Sequence, residues 1–112
     1  MIMDKSTHIF KDDINIEDLG EGISRQILGH DNELMMVKVN FEEGAIGKSH
    51  SHPHRQTTYV DSGVFEVSLG SDVRTLKEGD AFYAAPDEVH GVLCLQKGSL
   101  IDVFNPSRED FL

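Results

Sequence analysis

The sequence predicts an all-β protein, and three observations support this fold class. Short runs in which apolar and polar residues alternate are typical of half-buried strands. Gly, Asp, Asn and Pro interrupt these runs about every eight to twelve residues, as in β-sandwiches and barrels. The body of the chain shows no sustained helical period. With 112 residues the chain is long enough for one domain, spanning 1–112, and too short for two.

The predicted strands are the runs in which this alternation is cleanest. In the clearest of them, Phe65, Val67 and Leu69 share one face, whereas Glu66 and Ser68 share the other. This period of two is the one that side chains on a strand follow. The predicted strands span 23–28, 34–41, 57–60, 64–69, 73–76, 81–84, 91–95 and 100–104.

Turn-forming residues separate these strands. The segment Asp61-Ser62-Gly63 predicts a tight hairpin between the strands on either side of it. Residues 13–19 are expected to form a short helical turn ahead of the first strand. Further turns are predicted at 29–32, 42–44 and 70–72.

The composition argues against several classes of partner. A formal net charge of -10 argues against nucleic acids and anionic membranes, because both call for basic patches. No segment approaches the roughly 20 apolar residues of a membrane span, and residues 1–11 lack the apolar run of a signal peptide. Cys94 is the single cysteine, so no intramolecular disulfide can form. A cytoplasmic protein is therefore expected.

Histidines in two short segments predict a metal site. His50 and His52 are two residues apart, so they point the same way on a strand, and Gln56 keeps that parity. His90 comes from a separate predicted hairpin. Three neutral imidazoles and one amide oxygen leave positions open for water or substrate. This ligand set suits Zn, Ni, Fe, Mn or Co and does not decide among them.

The remaining histidines are interpreted differently. His54 shares the parity of His50 and His52, and three roles are open to it: ligand, neighbour of the ligands, or substrate contact. His8 and His30 are expected to be ordinary surface residues, because an isolated histidine is seldom a ligand.

The last predicted strand carries a carboxylate among apolar residues. Leu100, Asp102 and Phe104 share one face of it, and Asp is poorly suited to strands. If this strand and the one that begins near His90 line a single cavity, Asp102 and His90 converge there. The alternative is a solvated Asp102, or one that pairs with a turn.

Three further polar residues are weaker candidates for the cavity. Gln26 lies on the first predicted strand and could line it. Tyr59 and Tyr83 could offer hydroxyl groups to a substrate, or they could pack within the barrel. Cys94 is expected to be a small apolar filler of the core.

The histidine segments resemble the two motifs of the cupin family. Residues 44–63 follow the pattern Gx5HxHx3Qx6G, which is similar to the first motif, with Gln where many cupins have Glu. Residues 79–90 follow Gx6Px3H, which resembles the second motif more loosely. The resemblance implies a single small cupin domain, an antiparallel double-sheet β-barrel of the jelly-roll type, often found as a homodimer. Residues 1–20 are then a candidate for the dimer interface.

The carboxy-terminal part resembles a narrower group, the KdgF-type pectin-degradation cupins. The residues that carry this resemblance are HGVLCL at 90–95 and GxLIDxFxPxREDFL at 98–112. The resemblance implies a non-redox, isomerase-type enzyme that linearises 4,5-unsaturated monouronates released by pectate and alginate lyases. It implies Asp102 as the catalytic acid or base, with Phe104 and Arg108 as substrate contacts. The divalent metal is then held by His50, His52, Gln56 and His90.

Three of these positions carry an alternative. Arg55 stands where this group commonly has Glu, which predicts altered substrate preference or ligand orientation. Arg108 suits a bidentate grip on a uronate carboxylate, or it could pair at the surface with Glu109 or Asp110. Phe104 could be a core residue instead of a ring beside the sugar.

Two other functions remain open at this point. One is a different metal-dependent cupin enzyme, such as a dioxygenase or a sugar isomerase. The other is a module that binds a sugar acid without turning it over. The combination of Asp102 and Arg108 favours uronate linearisation, since a dioxygenase has no evident use for both. The native metal and the preference between pectin- and alginate-derived substrates are left open.

Overall fold

The computed structural model describes residues 7–112, which form eight β-strands and two short 3-10 helices, Lys11–Asp13 and Glu109–Phe111. No α-helix occurs among the described residues, and the predicted all-β class is confirmed. Two of the strands, with 15 and 16 residues, are much longer than the others. The strands are β1 (Glu17–Gly20), β2 (Ile23–His30), β3 (Met35–Phe41), β4 (Ile46–His50), β5 (Arg55–Leu69), β6 (Asp72–Lys77), β7 (Ala81–Ala84) and β8 (His90–Asn105).

The strands form two layers that share β5 and β8. The first half of β5 pairs with the second half of β8, and β7, β3, β2 and β1 extend this layer. The second half of β5 pairs with the first half of β8, and β4 and β6 extend that layer. All pairings are antiparallel, in agreement with the predicted double sheet of the jelly-roll type.

The predicted closure into a barrel is not found in residues 7–112. The path of paired strands runs β1-β2-β3-β8-β5-β6, and its two ends, β1 and β6, do not pair with each other. The strands β4 and β7 pair only with β8 and β5, respectively. The arrangement is therefore an open double sheet. The two layers are held together by the side chains packed between them and by the two strands that they share.

The predicted hairpin at 61–63 is wrong, because β5 continues through it. Gly63 adopts a φ of +85°, and the pairing with β8 shifts register on both sides of it. A Cβ on Gly63 would lie 2.6 Å from the Gln96 carbonyl oxygen, and one on Gly98 would collide with the Ser62 carbonyl oxygen. The two glycines therefore mark the place where β5 and β8 cross closely while passing from one layer to the other.

The hydrophobic core fills the space between the layers. Phe41 of the first layer meets Phe65 of the second edge to face, with ring centres 5.2 Å apart. Cys94 is fully buried in the same cluster, as its predicted role of apolar filler requires. The other buried members of this cluster are Ala45, Val60, Val67, Phe82, Ala84 and Leu100.

The amino-terminal segment differs from the predicted helical turn at 13–19. The 3-10 helix Lys11–Asp13 precedes this segment, and Glu17–Gly20 pairs with β2 as an edge strand. The side-chain carboxylate of Asp18 accepts a hydrogen bond from the Gly20 backbone, which favours a turn over a continued helix. None of the helices within residues 7–112 is long and apolar enough to span a membrane.

Candidate metal centre and substrate cavity

Three histidines from separate parts of the chain meet between the layers. His50 is the last residue of β4 and lies opposite His90, the first residue of β8. His52 lies in the loop between β4 and β5 and not on a strand, so a loop and not strand parity brings it to the cluster. One ring nitrogen from each histidine lies within 4.8 Å of the others. His52 and His90 are buried, and His50 is more exposed.

Backbone carbonyls fix the orientation of all three imidazoles. The Nδ1 atoms of His50, His52 and His90 lie 2.8, 3.1 and 2.9 Å from the carbonyl oxygens of Lys48, His54 and Glu88, respectively. A carbonyl only accepts, so each Nδ1 carries the proton and each Nε2 keeps its lone pair. Such hydrogen bonds are the usual way in which a protein orients imidazole ligands toward a metal.

Gln56, at the start of β5, turns its side-chain oxygen toward this cluster. Its Nε2 donates to Thr58 Oγ1 at 2.9 Å and to Asp102 Oδ1 at 3.3 Å. Its Oε1 consequently faces His52 Nε2, at 3.0 Å. With the proton on Nδ1, a neutral His52 turns the lone pair of Nε2 toward Oε1, and two atoms placed in this way can bind one cation together.

A buried nitrogen without a partner adds to the fit for a metal. His90 Nε2 is shielded from solvent and has no hydrogen-bond partner among the described residues. Burial lowers the pKa of His52 and of His90, and neighbouring histidines and Arg108 lower both further. Burial therefore favours the neutral form of His52 and His90, which is the form that binds a cation. The three histidines and Gln56 fit a divalent metal ion.

The other histidines and Arg55 lie outside this group. The His54 ring is half-buried, 5.3 Å from that of His52, and its Nδ1 has no hydrogen-bond partner in the described part of the chain. His54 is thus a neighbour of the cluster. Arg55 is exposed at the start of β5, and its pairing with Asn105 leaves it on the outer side. His8 and His30 are exposed, and neither belongs to the histidine cluster or lines the cavity beside it.

Asp102 lies on the same inner surface, opposite Thr58 in the pairing of β5 with β8. Its Oδ1 accepts hydrogen bonds from Thr58 Oγ1 at 2.6 Å and from Gln56 Nε2 at 3.3 Å. Burial raises the pKa of Asp102 to about 6, although both hydrogen bonds and the charge of Arg108 act to lower it. A carboxyl group with a pKa near neutrality is suited to both accepting and returning a proton.

A cavity of about 220 Å³ opens onto these groups. Its apolar walls include Val39, Phe104 and Phe111. Phe104 is buried and lies edge-on to both His52 and Phe111, so it is at once a core residue and a cavity wall. The charged or polar side chains that line the cavity are Arg25, His50, Gln56, His90, Asp102 and Arg108.

Arg108 reaches the cavity from the carboxy-terminal tail, and both of its predicted environments are present. The side chain is only 12% exposed and lies over the Phe111 and Phe104 rings, 4.4 and 5.2 Å from their centres. Two of its nitrogens also donate to the Asp110 carboxylate, at 3.1 and 2.9 Å. Because Asp110 is 61% exposed, an incoming carboxylate could replace it with little rearrangement.

The tail that carries Arg108 is anchored to the turn between β2 and β3. The Ser107 hydroxyl donates to the carbonyl oxygens of Asp31 and Leu34, and the Asn105 side chain donates to the Glu33 carbonyl at 2.6 Å. Ser107 is buried. This anchor fixes where the tail enters the cavity wall.

The structure adds Arg25, Thr58 and Phe111 to the predicted site residues. Arg25 lies between Ile23 and Ile27 on the inner face of β2, in the same pattern as Asp102 between Leu100 and Phe104. The rule that found Asp102 would therefore have found Arg25.

Three weaker candidates lie elsewhere. The Gln26 side chain faces the opposite side of β2, where it accepts a hydrogen bond from Asn40, so its expected place in the cavity is wrong. Tyr59 and Tyr83 are 48% and 52% exposed on the outer surface, and neither lines the cavity beside the histidines.

Comparison with known proteins agrees with this geometry. The family described as Cupin domain matches residues 37–104. A protein of Dickeya dadantii (strain 3937) named Pectin degradation protein KdgF is 48% identical over 107 residues, which cover 94% of this chain and 97% of that protein.

Solved structures show the same fold. An RmlC-like cupin from Shewanella frigidimarina has a TM-score of 0.92 and 44% identity, with 98% of this chain and all of that one covered. KdgF from Halomonas sp. has a TM-score of 0.91 and 40% identity over 96% of this chain and all of that one. Oxalate decarboxylase from Bacillus subtilis, at 19% identity and a TM-score of 0.81, shares the fold over 33% of its own length.

Proposed function

The chain belongs to the cupin family, and from this premise we propose that it is a metal-dependent enzyme of pectin and alginate breakdown. The proposed reaction converts 4,5-unsaturated monouronates into their linear, ketonised form. The single observation that carries it is the buried Asp102 carboxyl group, held by Thr58 and Gln56 beside three converging histidines. The similarity to the Dickeya dadantii protein over almost its whole length supports the same reading of the substrate class.

The reaction is a rearrangement without change of oxidation state. The anomeric hydroxyl group of the substrate loses a proton, the bond between C1 and the ring oxygen breaks, and C1 becomes an aldehyde. The electron pair that stays on the former ring oxygen forms an enolate with C4 and C5. A proton added at C4 then gives a ketone at C5. The atoms of substrate and product are the same, so neither an oxidant nor a reductant is needed.

Asp102 is the proposed carrier of the proton. In its ionised form it takes the proton of the anomeric hydroxyl group, and in its protonated form it returns a proton to C4. A single positioned carboxyl group of this kind contributes roughly 10²- to 10⁴-fold to a rate. Thr58 and Gln56 both donate to Oδ1, which leaves Oδ2 for the substrate.

The ligand set that we propose for the metal is His50, His52, Gln56 and His90. When bound, a divalent metal supplies Lewis-acid stabilisation of negative charge on a substrate oxygen. Because all four ligands are neutral, the charge of the cation is not offset by the protein. This matters in a chain with a net charge of -10, which otherwise repels an anionic sugar.

Arg108 and Phe104 are the proposed substrate contacts. The Arg108 guanidinium could exchange its exposed partner Asp110 for the uronate carboxylate in a bidentate arrangement. Phe104 is part of the cavity wall, where a sugar ring can pack against it. The cavity volume of about 220 Å³ suits one sugar unit and is too small for an oligosaccharide within it.

The test is to prepare the unsaturated monouronate and follow its C4 vinyl proton by NMR. The samples are the metal-loaded protein, the chelator-treated protein, chelator-treated protein to which each divalent metal is returned, the Asp102→Asn variant, and buffer alone. The vinyl signal should decay faster than in buffer with the metal-loaded protein and with the chelated protein to which a functional divalent metal is returned. Chelation and Asp102→Asn should each return the decay to the background rate.

A decay equal to background with protein of verified metal content would rule out the proposed reaction. Oxygen uptake by the same sample would then point to a dioxygenase of the same fold. Retained uronate affinity without turnover in the wild-type protein would point to a binding module. Comparing substrates from pectin and alginate in the first sample measures the preference that the sequence leaves open.

The homodimer and the cytoplasmic location stay predictions. In support of a dimer, the outer surface of the first layer exposes several large apolar side chains, among them Met36, Tyr59 and Tyr83. Exposed apolar area of this kind is common at protein interfaces. Analytical ultracentrifugation over a range of concentrations would measure the oligomeric state directly.

A further inference from the structure

We propose that Arg25 is a second anion-binding residue of the cavity and makes it selective for sugar acids over neutral sugars. This inference rests on the proposed function, because it concerns the substrate of that same site. Arg25 would donate to the carboxylate end of the substrate together with Arg108. Three observations support this role: the position of Arg25 in the cavity wall, its contact with Phe111, and its exposed partner Glu17.

Arg25 lies on the inner face of β2, between Ile23 and Ile27. Its pairing partner on β3 is Val39, another residue of the cavity wall. An inner position of a strand normally holds an apolar side chain, because burying a charge is costly. The Arg25 side chain is nevertheless only 14% exposed. A cation in such a position needs anionic partners, either from the protein or from a ligand.

Arg25 and Arg108 lie against the same aromatic ring. Both guanidinium groups contact the ring of Phe111, with their central carbons 4.0 and 4.4 Å from its centre. They approach from opposite ends of the chain, one from β2 and the other from the carboxy-terminal tail. The contact with Phe111 holds each planar group against the cavity wall, and it gives the cavity two positive charges on one side.

The partner of Arg25 within the protein is the Glu17 carboxylate. Its Nε donates to Glu17 Oε1 at 2.9 Å, and a second nitrogen lies 3.4 Å from Glu17 Oε2. Glu17 is on the edge strand β1 and its side chain is 51% exposed. Arg108 has the same kind of partner in Asp110, which is 61% exposed. Each arginine is thus paired with an exposed carboxylate, which a substrate carboxylate can replace.

A purely structural role makes a different prediction. As a cross-strand ion pair, Arg25 and Glu17 would only hold β1 on β2, and removing either residue would have the same effect. As a ligand for the substrate, Arg25 is needed, whereas Glu17 competes with the substrate for it. The two substitutions should then act in opposite directions on uronate binding.

The experiment compares Arg25→Gln, Glu17→Gln and Arg74→Gln in the metal-loaded protein. Arg74 is the control. Like Arg25 it pairs with a carboxylate, that of Asp72, but it lies on β6, away from the cavity, and its side chain is 76% exposed. Titration calorimetry measures binding of galacturonate, a saturated acid, and of galactose, its neutral counterpart. The kinetic constants for the unsaturated monouronate are measured in parallel by the NMR assay.

Arg25→Gln should weaken galacturonate binding and raise KM roughly 10- to 100-fold, the usual value of a hydrogen-bonded charge pair. Its kcat should stay within about threefold of the wild-type value, as expected when binding energy common to substrate and transition state is lost. Galactose binding should not change, Glu17→Gln should tighten galacturonate binding, and Arg74→Gln should have no effect.

Each remaining outcome decides the inference. Unchanged galacturonate affinity in Arg25→Gln would overturn it, as would equal weakening by Arg25→Gln and Glu17→Gln for both sugars. If the wild-type protein binds galacturonate through Arg25 but leaves the unsaturated substrate unchanged, the proposed function fails and the inference stands. If it turns over the substrate with a KM that ignores Arg25, only the inference fails. If it binds no uronate, both fail.

Discussion

The space between the two layers has a metal end and a packed end, and both are built from the same strands. At the packed end, β5 supplies Val60 and Phe65, which are fully buried among apolar neighbours. At the metal end, the same strand supplies Gln56 and Thr58, also buried, but hydrogen-bonded to each other. Buried and outward-facing residues alternate at both ends, but the inward residues change from even to odd positions across the register shifts near Gly63.

Strand periodicity therefore sets which side chains point inward at both ends, while the residue types at the metal end set the chemistry. The polar groups of the metal end are largely satisfied by one another, since Thr58 and Gln56 both donate to Asp102. A buried polar group that keeps its hydrogen bonds costs far less than one that loses them. Substitutions at the metal end should therefore alter activity, and those at the packed end should alter stability.

The largest expected effect tests the metal end. Asp102→Asn should reduce turnover by roughly 10²- to 10⁴-fold. The variant keeps an oxygen for Thr58 and Gln56, so it should fold normally. Calorimetric unfolding and the NMR assay on one sample would check both statements, and a variant that loses stability in proportion to its activity would contradict the comparison.

The raised pKa of Asp102 predicts that the stability of the metal-free wild-type protein depends on pH, and Asp102→Asn is the control. The pKa of Asp102, about 6 when folded, exceeds the usual 3.8 of an unfolded chain. The folded state therefore binds the proton more tightly, and this contribution to stability is complete below about pH 4 and is lost as the pH rises through 6. The loss amounts to about 3 kcal/mol by pH 8. It should be present in the wild-type protein and absent from Asp102→Asn, as measured by urea unfolding across this range.

The packed end should respond in the opposite way. Phe65→Ala removes a fully buried ring that meets Phe41 and should lower the free energy of unfolding by about 3–5 kcal/mol. The molecules that remain folded should keep their kcat, because Phe65 does not line the cavity beside the histidines. Urea unfolding and the rate per folded molecule are the measurements. A kcat that falls with stability would show that the two ends are coupled.

A smaller effect is expected at the anchor of the tail. Ser107→Ala removes both hydrogen bonds of the Ser107 hydroxyl group to the turn between β2 and β3, keeps the one from its backbone nitrogen to the Asn32 carbonyl, and should loosen the segment that carries Arg108. KM should rise roughly tenfold, with a smaller change in the free energy of unfolding. Hydrogen exchange of residues 107–112 should increase, whereas exchange of β5 should not. Unchanged exchange in the tail would show that the anchor has no such role.

The smallest effect is expected one residue from the proposed catalytic group. Val103 follows Asp102 along β8 but points to the outer surface, where its partners are Met36 and Thr57. Val103→Thr should change the free energy of unfolding by less than about 1 kcal/mol. Turnover should stay within about twofold of the wild-type rate. A large loss of activity would show that a residue on the outer face of β8 affects turnover as strongly as one on the inner face, which would contradict this comparison.

Most of the fold could be predicted because the alternation in the sequence is local. Residues 23–28 and 34–41 differ from the observed strands β2 and β3 by no more than two residues at either end. The hairpin at 61–63 was wrong because Gly63 serves a close crossing with β8, and a crossing depends on a distant segment that local pattern does not reveal.

The candidate site divides in a similar way. The spacing of His50, His52 and Gln56 is local and was visible in the sequence, as was the odd placement of Asp102 on an apolar face. Arg25 was missed because the first strand was searched on the wrong face, at Gln26. Which face of a strand meets the cavity depends on its pairing partners, and that information is not contained in the strand itself.

The crossing at Gly63 and Gly98 has a consequence for the evolution and redesign of this protein. Neither position accepts even a methyl group, so both are closed to ordinary variation. Three cavity residues, Arg25, Arg108 and Phe111, come instead from β2 and the carboxy-terminal tail, which take no part in the crossing. A library that varies Arg25, Arg108 and Phe111 while retaining both glycines would explore new substrates on an unchanged framework.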